Sequence, residues 1–173
     1  MAGTSGHYQI GIAVFDTPRL AISTTGSLFD SGLEIDQVCI VSMHRVMMAC
    51  ARLAASLAEG QQRLTELFGD VRRWPNSMRG EEIVATSQPL FNAFLRSQLT
   101  EAGSIVRSQA SRHSWDVERA IRSGATGVVT HPRDNREQQI STRILLANST
   151  HKVTTYVLTL PEWSGREKLQ MSA

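Results

Sequence analysis

The chain has 173 residues, of which 41% are hydrophobic and 20% charged, and its formal net charge is +2. This length suits one domain, or one domain with an insertion, and the composition excludes a disordered chain, which would combine low hydrophobicity with high net charge. The low net charge also argues against a polyelectrolyte built for nucleic acid, although nearly all of the positive charge comes from arginine, with Lys152 and Lys168 the only lysines.

The cysteine content and the lack of long apolar runs bear on the cellular compartment in which we expect the protein. Cys39 and Cys50 lie among apolar neighbours, which is typical of buried free thiols rather than of a disulfide framework. No run of the sequence approaches the roughly 20 apolar residues that span a bilayer. We therefore expect a cytoplasmic protein that does not enter a membrane.

The first predicted unit covers residues 8–42. Apolar residues alternate with small or polar ones over 8–15, which is the period of a strand with one face in the core. Asp16-Thr17-Pro18 follows, and it predicts the start of a helix, because Asp or Thr caps the first turn and proline is tolerated within it. Gly32 is placed to end that helix, and an apolar run at 38–41 predicts the second strand.

A second unit of the same shape covers residues 125–160. A valine-rich strand is followed by a helix that Asp134 or Asn135 caps and that runs to Asn148. The run from Lys152 to Leu158 indicates a strand, because most of its residues are β-branched or aromatic types with high strand preference. The second unit is therefore also β-α-β.

Two β-α-β units in one chain predict an α+β fold of the ferredoxin-like type, with a four-stranded antiparallel sheet and both helices on one face. A doubly wound parallel sheet is the alternative, but it would need more β-α units than the sequence shows. Residues 43–124 form a long, mainly helical insertion between the units, and 161–173 form a C-terminal tail of the same domain. A sandwich of this kind exposes one sheet face and two sheet edges, which invites self-association.

The segment Ile10-Gly-Ile-Ala-Val-Phe-Asp-Thr-Pro, the following helix, Gly32 and Asp36-Gln-Val-Cys-Ile-Val-Ser42 resemble the start of the bacterial general-stress-protein 17M-like domains. The second unit is similar to the other half of those domains, and the resemblance skips the insertion. It implies a ferredoxin-like fold and a stress-related or regulatory role, and it supplies no catalytic residues. Where that family has a glycine-rich hinge, this chain has an arginine-tryptophan loop.

Both β-α turns are candidate sites for a small anionic metabolite, because unpaired N–H groups and the helix dipole attract an anion and arginine strengthens the attraction. Their polar residues are Asp16 and Arg19 in the first turn, and His131, Arg133, Asp134 and Arg136 in the second. The alternative is that Asp134 only caps its helix and that the arginines are solvated.

Two further patterns are weighed against simpler explanations. A basic loop contains Arg72, Arg73, Trp74 and Arg79, and it could stack on a nucleic-acid base, although a solvated loop is the better explanation. Met43, Met47 and Cys50 share a helix face as a Cu(I) site would require, but the same spacing is typical of a helix that faces the core. We predict no metal site, and the sequence identifies no cofactor.

The leading hypothesis is a non-catalytic, homo-oligomeric regulatory or stress-related module that binds a small anion at its β-α turns. The first alternative is an enzyme in which His131 or His44 acts as a base in a cleft between insertion and sheet. The second alternative is nucleic-acid binding through the arginine-tryptophan loop.

Overall fold

The computed structural model describes residues 7–57, 62–69, 71, 83–87, 90, 117, 119–149 and 154–159, with only the backbone at 7–9 and 154–159. Five strands and four helices are described here with the following bounds: β1 His7–Phe15, α1 Pro18–Asp30, β2 Val38–Met43, α2 His44–Leu57, α3 Gln62–Leu67, β3 Ile83–Ala85, β4 Thr126–Thr130, α4 Asn135–Asn148 and β5 Thr154–Thr159. A short 3₁₀ turn, Ile35–Gln37, precedes β2.

The strands form one sheet in the order β3-β2-β4-β1-β5, and every neighbouring pair is antiparallel. All four predicted strands are present, and the prediction of an α+β fold with an antiparallel sheet is confirmed. The two units interleave, because β4 of the second unit lies between β1 and β2 of the first. The parallel alternative is wrong.

The short strand β3 was not predicted. Its three residues pair with the end of β2, where Val41 is opposite Ala85 and Met43 is opposite Ile83. The sheet therefore has five strands instead of four, and the segment 43–124 contributes a strand to it as well as helices.

The ends of α1 follow the sequence signals. The Thr17 hydroxyl accepts a hydrogen bond from the Leu20 N–H at 3.4 Å, and Pro18 is the first helical residue. At the other end Gly32 has a φ of 104°, and the Leu33 N–H donates to the Leu28 carbonyl at 3.2 Å. A positive φ is accessible to glycine at little cost, so Gly32 ends the helix as predicted.

Buried side chains lie on both faces of the strands β1, β2 and β4. On one face, Ala13 and Phe15 of β1 and Val128 of β4 belong to a core that includes residues of all four helices. On the other face, Ile10 and Ile12 of β1 pack in a second cluster; its other buried members are Cys39, Val41, Ala85, Leu90, Ile121 and Val129. The expected open sheet face is therefore wrong, because side chains from the insertion cover it.

The methionine-cysteine pattern belongs to the core. Met47 and Cys50 are fully buried among the side chains of the helical face, while Met43 is the last residue of β2. None of the helices within the described residues is long and apolar enough to cross a membrane.

Candidate functional site

The second β-α turn joins the end of β4 to the start of α4. Asp134 has an extended backbone, and its Oδ1 accepts a hydrogen bond from the Glu137 N–H at 2.8 Å. Asp134, one of the two residues predicted to cap this helix, is therefore the N-cap of α4. This bond satisfies one of the N–H groups that a helix leaves without an intrahelical partner.

Gln37 connects this turn to the start of β2. Its side chain is 1% exposed, and its Oε1 accepts a hydrogen bond from the Glu34 N–H at 2.8 Å. Its Nε2 donates to the His131 carbonyl at 3.1 Å and to Glu137 Oε2 at 2.7 Å. The His131 N–H in turn donates to the Gln37 carbonyl at 2.8 Å. One buried amide thus links the two β-α-β units.

Glu137 places a carboxylate at the amino end of α4. The same Oε2 that accepts from Gln37 also accepts from the Arg133 N–H at 2.7 Å. Because the helix dipole and the free N–H groups favour negative charge at this position, Glu137 and Asp134 supply from within the chain what an external anion would supply. Two N–H groups of the turn, those of Arg133 and Glu137, are therefore already engaged by carboxylates.

Arg133 lies on the outer side of the turn. Its Nη2 donates to both carboxylate oxygens of Asp36, at 2.9 and 3.1 Å, and the two side chains are 53% and 52% exposed. An ion pair this exposed contributes only about 0–1 kcal/mol. Arg136, in the first turn of α4, is exposed as well. The turn thus presents two guanidinium groups to solvent beside a helix amino end.

His131 begins the turn and is half-buried. Burial lowers its pKa from the usual 6.5; the nearby Asp36 and Glu137 carboxylates oppose that effect, while the Arg133 guanidinium adds to it. The imidazole is therefore mostly neutral at pH 7. This protonation state suits a base, but it also suits a side chain that packs against the protein.

The two predicted turns do not meet. Phe15 at the end of β1 is opposite Thr126, whereas Thr130 at the end of β4 is opposite Gly11. Asp16 and Arg19 therefore lie at one end of the sheet, and His131 to Arg136 lie at the other, roughly 13 Å away along the strands. The six predicted binding residues form two separate candidate sites, and the binding of an anion at either stays a prediction.

The other predicted residues fall elsewhere. His44 is half-buried at the start of α2, at the end of the sheet remote from His131, so the two candidate bases do not share a site. The loop with Arg72, Arg73, Trp74 and Arg79 lies outside the described residues, and its role in nucleic-acid binding stays a hypothesis.

The remaining reactive side chains offer no second centre in the part of the chain that is described. Cys39 and Cys50 are free and buried, and burial raises the pKa of each thiol to about 11. Such thiols are protonated at neutral pH and are poor nucleophiles. The described residues also hold no group of three His, Cys, Asp or Glu side chains placed to bind a metal ion.

Sequence reasoning missed Gln37, Glu137 and Asp36 as members of this site. One local signal was present: Glu34 and Gln37 have the spacing of a capping box, in which the side chain three residues on reaches back to the cap N–H. No local sequence pattern predicts the contacts of Gln37 with Glu137 and His131.

Comparison with protein-family models, with curated proteins and with solved structures gives no match for this chain. The resemblance to the general-stress-protein 17M-like domains therefore stays a prediction.

Proposed function

We propose that the chain is a non-catalytic, self-associating regulatory module with the ferredoxin-like fold, and that its second β-α turn binds a small anion through Arg133 and Arg136. The observation that carries the proposal is the pair of exposed guanidinium groups at the amino end of α4, one of them held only by a half-exposed ion pair. Arginine suits phosphate and carboxylate because its planar donors match two acceptor oxygens at once.

The strand arrangement supports the fold assignment. The four predicted strands follow the spatial order β2-β4-β1-β5, in which each unit contributes one central and one outer strand. Residues of α1 and Leu145 of α4 pack in the same core, so both helices lie on one face. This is the arrangement that two interleaved β-α-β units adopt in a ferredoxin-like sandwich.

The internal carboxylates support a position for the anion on the outer side of the turn. Because Glu137 accepts from the Arg133 N–H and Asp134 accepts from the Glu137 N–H, we expect the ligand not to displace these carboxylates from the backbone. It binds on the outer side instead, where it replaces Asp36 as the partner of the Arg133 guanidinium and also contacts Arg136. Asp36 repels the ligand until it moves away, so we expect modest affinity that weakens with salt.

The experiment is a thermal unfolding series at low ionic strength with inorganic phosphate, nucleotides and organic acids. A ligand that binds only the folded state raises the midpoint temperature as its concentration rises. We expect such a rise for the natural chain, and we expect Arg133→Gln to abolish it. The matched control is Arg143→Gln, an exposed arginine further along α4, which should keep the rise.

Two results would reject the anion site. In one, no compound of the series changes the midpoint temperature of the natural chain. In the other, Arg133→Gln and Arg143→Gln reduce the response equally, which would show only a general effect of net charge.

A further inference from the structure

The two edges of the sheet differ in their capacity to pair with another strand. Within the described residues, the sheet ends at β3 on one side and at β5 on the other. The ladder of β3 with β2 covers three residue pairs, from Val41 opposite Ala85 to Met43 opposite Ile83, whereas β5 pairs with β1 along its whole length. The edge at β5 therefore offers the longer row of outward N–H and C=O groups.

The sequence of β5 lacks the features that protect an edge strand. Thr154–Thr159 reads Thr-Thr-Tyr-Val-Leu-Thr, with no charged residue, no proline and no glycine. Natural edges usually carry lysine, proline or a bulge, which discourage pairing with another chain. A neutral strand can pair antiparallel with its own copy about a two-fold axis, because like charges do not face each other there.

One flank of α4 lies on the β5 side of the sheet. Leu145 faces the sheet beside Gly11 of β1, and Glu137 points toward Gln37 at the start of β2. Because successive residues of a helix turn by about 100°, Gln138, Thr142 and Leu146 lie on the opposite flank, toward β5. These three side chains line a shallow groove along the helix together with Asn135, Gln139, Arg143 and Ala147, so the groove carries one positive charge, and Leu146 is 60% exposed.

The dimensions fit a second copy. If two β5 strands pair, the two copies of β1 lie three strand spacings apart, about 14 Å. A helix with its side chains is about 10–12 Å wide, so the two copies of α4 above β1 come close enough for their facing flanks to meet. The helix contact matters because a stable dimer buries roughly 1,200–2,000 Å², which two six-residue edges alone do not supply.

We infer that a second copy of this chain docks on the β5 edge and on the α4 flank formed by Gln138, Thr142 and Leu146, so that the two sheets continue into one. This inference rests on the self-association in the proposed function and names its interface. On the described side chains of β1, β2 and β4 both faces are buried within the chain, so we place the association at an edge of the sheet.

The experiment measures molecular mass in solution against protein concentration for the natural chain, Leu146→Glu and Leu57→Glu. Both leucines are exposed near the carboxyl end of a helix, Leu57 at 52%, so the two variants carry the same chemical change at comparable positions. We expect the natural chain to form dimers or other even-numbered assemblies. We expect Leu146→Glu to raise the dimer dissociation constant at least about tenfold, because like charges then approach across the axis, and Leu57→Glu to leave it unchanged.

Amide hydrogen exchange of the natural chain tests the strand edge without a substitution. Alternate residues of β5 should gain protection as the protein concentration rises into the range where the dimer forms, since their outward N–H groups become bonded. A dimer whose β5 amides show no such dependence overturns the inference.

The outcomes separate this inference from the proposed function. An oligomer that Leu146→Glu and Leu57→Glu affect equally overturns the interface and leaves self-association intact. A natural chain that is monomeric at all concentrations overturns both the interface and self-association, while the thermal series with phosphate still decides the anion site independently.

Discussion

Both β-α turns contain a side chain that caps the following helix, but they differ in their contacts with the rest of the chain. In the first turn Thr17 caps α1 through one long hydrogen bond of 3.4 Å, and Asp16 and Arg19 beside it are exposed. In the second turn Asp134 caps α4 at 2.8 Å, and the buried Gln37 bonds the turn to the other β-α-β unit. The first turn caps its helix with a local bond, whereas the second turn is also bonded to the other β-α-β unit.

The largest effect is expected for Gln37→Leu. The substitution leaves the Glu34 N–H, the His131 carbonyl and the Glu137 carboxylate without their buried partner. We expect the free energy of unfolding, measured by urea denaturation, to fall by roughly 2–4 kcal/mol. The control Gln139→Leu changes an exposed residue of α4 and should stay within about 0.5 kcal/mol. Equal effects for the two variants would show that Gln37 does not join the units.

The next prediction compares the stability lost when each capping side chain is removed. Loss of a capping side chain costs about 0.5–2 kcal/mol, and the shorter bond from Glu137 to Asp134 places Asp134→Ala toward the upper end. Thr17→Ala should fall toward the lower end, because the bond from Leu20 is long. Urea denaturation of both variants measures the difference, and a larger loss at Thr17 would contradict the contrast between the turns.

A small effect is expected when the ion pair of Arg133 and Asp36 is removed. A double-mutant cycle with Arg133→Gln and Asp36→Asn should give a coupling energy below about 1 kcal/mol, because both side chains are half-exposed. The coupling should shrink further in high salt. A coupling well above this, and insensitive to salt, would mean that Arg133 is not available to a ligand.

The last prediction concerns the pH dependence of stability that His131 contributes. Burial keeps the pKa of His131 below 6.5, so the unfolded chain binds this proton more readily than the folded one. The stability contributed by the neutral imidazole is complete above the unfolded pKa and decreases as the pH falls from 6.5 toward the folded pKa. Denaturation curves between about pH 7.5 and pH 5.5 measure the slope of stability against pH. This range brackets the unperturbed histidine pKa. His131→Asn should reduce the slope.

Short-range sequence signals predict most of the helices and strands of the fold. The cap at Thr17, the glycine at Gly32 and the cap at Asp134 all follow from preferences within a few residues, and each is where the sequence indicates. The strand β3 could not be found in this way, because three residues are too few to show a period and its place depends on β2. Tertiary pairing decides such a segment.

The site was only half predictable for the same reason. The turn and its arginines follow from the helix start, but the bond between Gln37 and Glu137 joins residues 100 positions apart. No spacing rule reaches that far along the chain. The second sheet face was likewise expected to be open, because nothing in the sequence told where Leu90 and Ile121 pack.

The position of β1 has a consequence for synthesis of the chain. Both neighbours of this strand, β4 and β5, come from residues 126–159, so neither of its hydrogen-bonded ladders can form until the ribosome has made that part. The apolar segment at 10–15 therefore stays unpaired until residues more than 110 positions further along the chain are made, since Phe15 pairs with Thr126. Contacts of such long range slow folding and leave apolar strands exposed meanwhile. A nascent chain of this protein therefore has no strand partner for its first apolar segment until residues 126–159 have been synthesised.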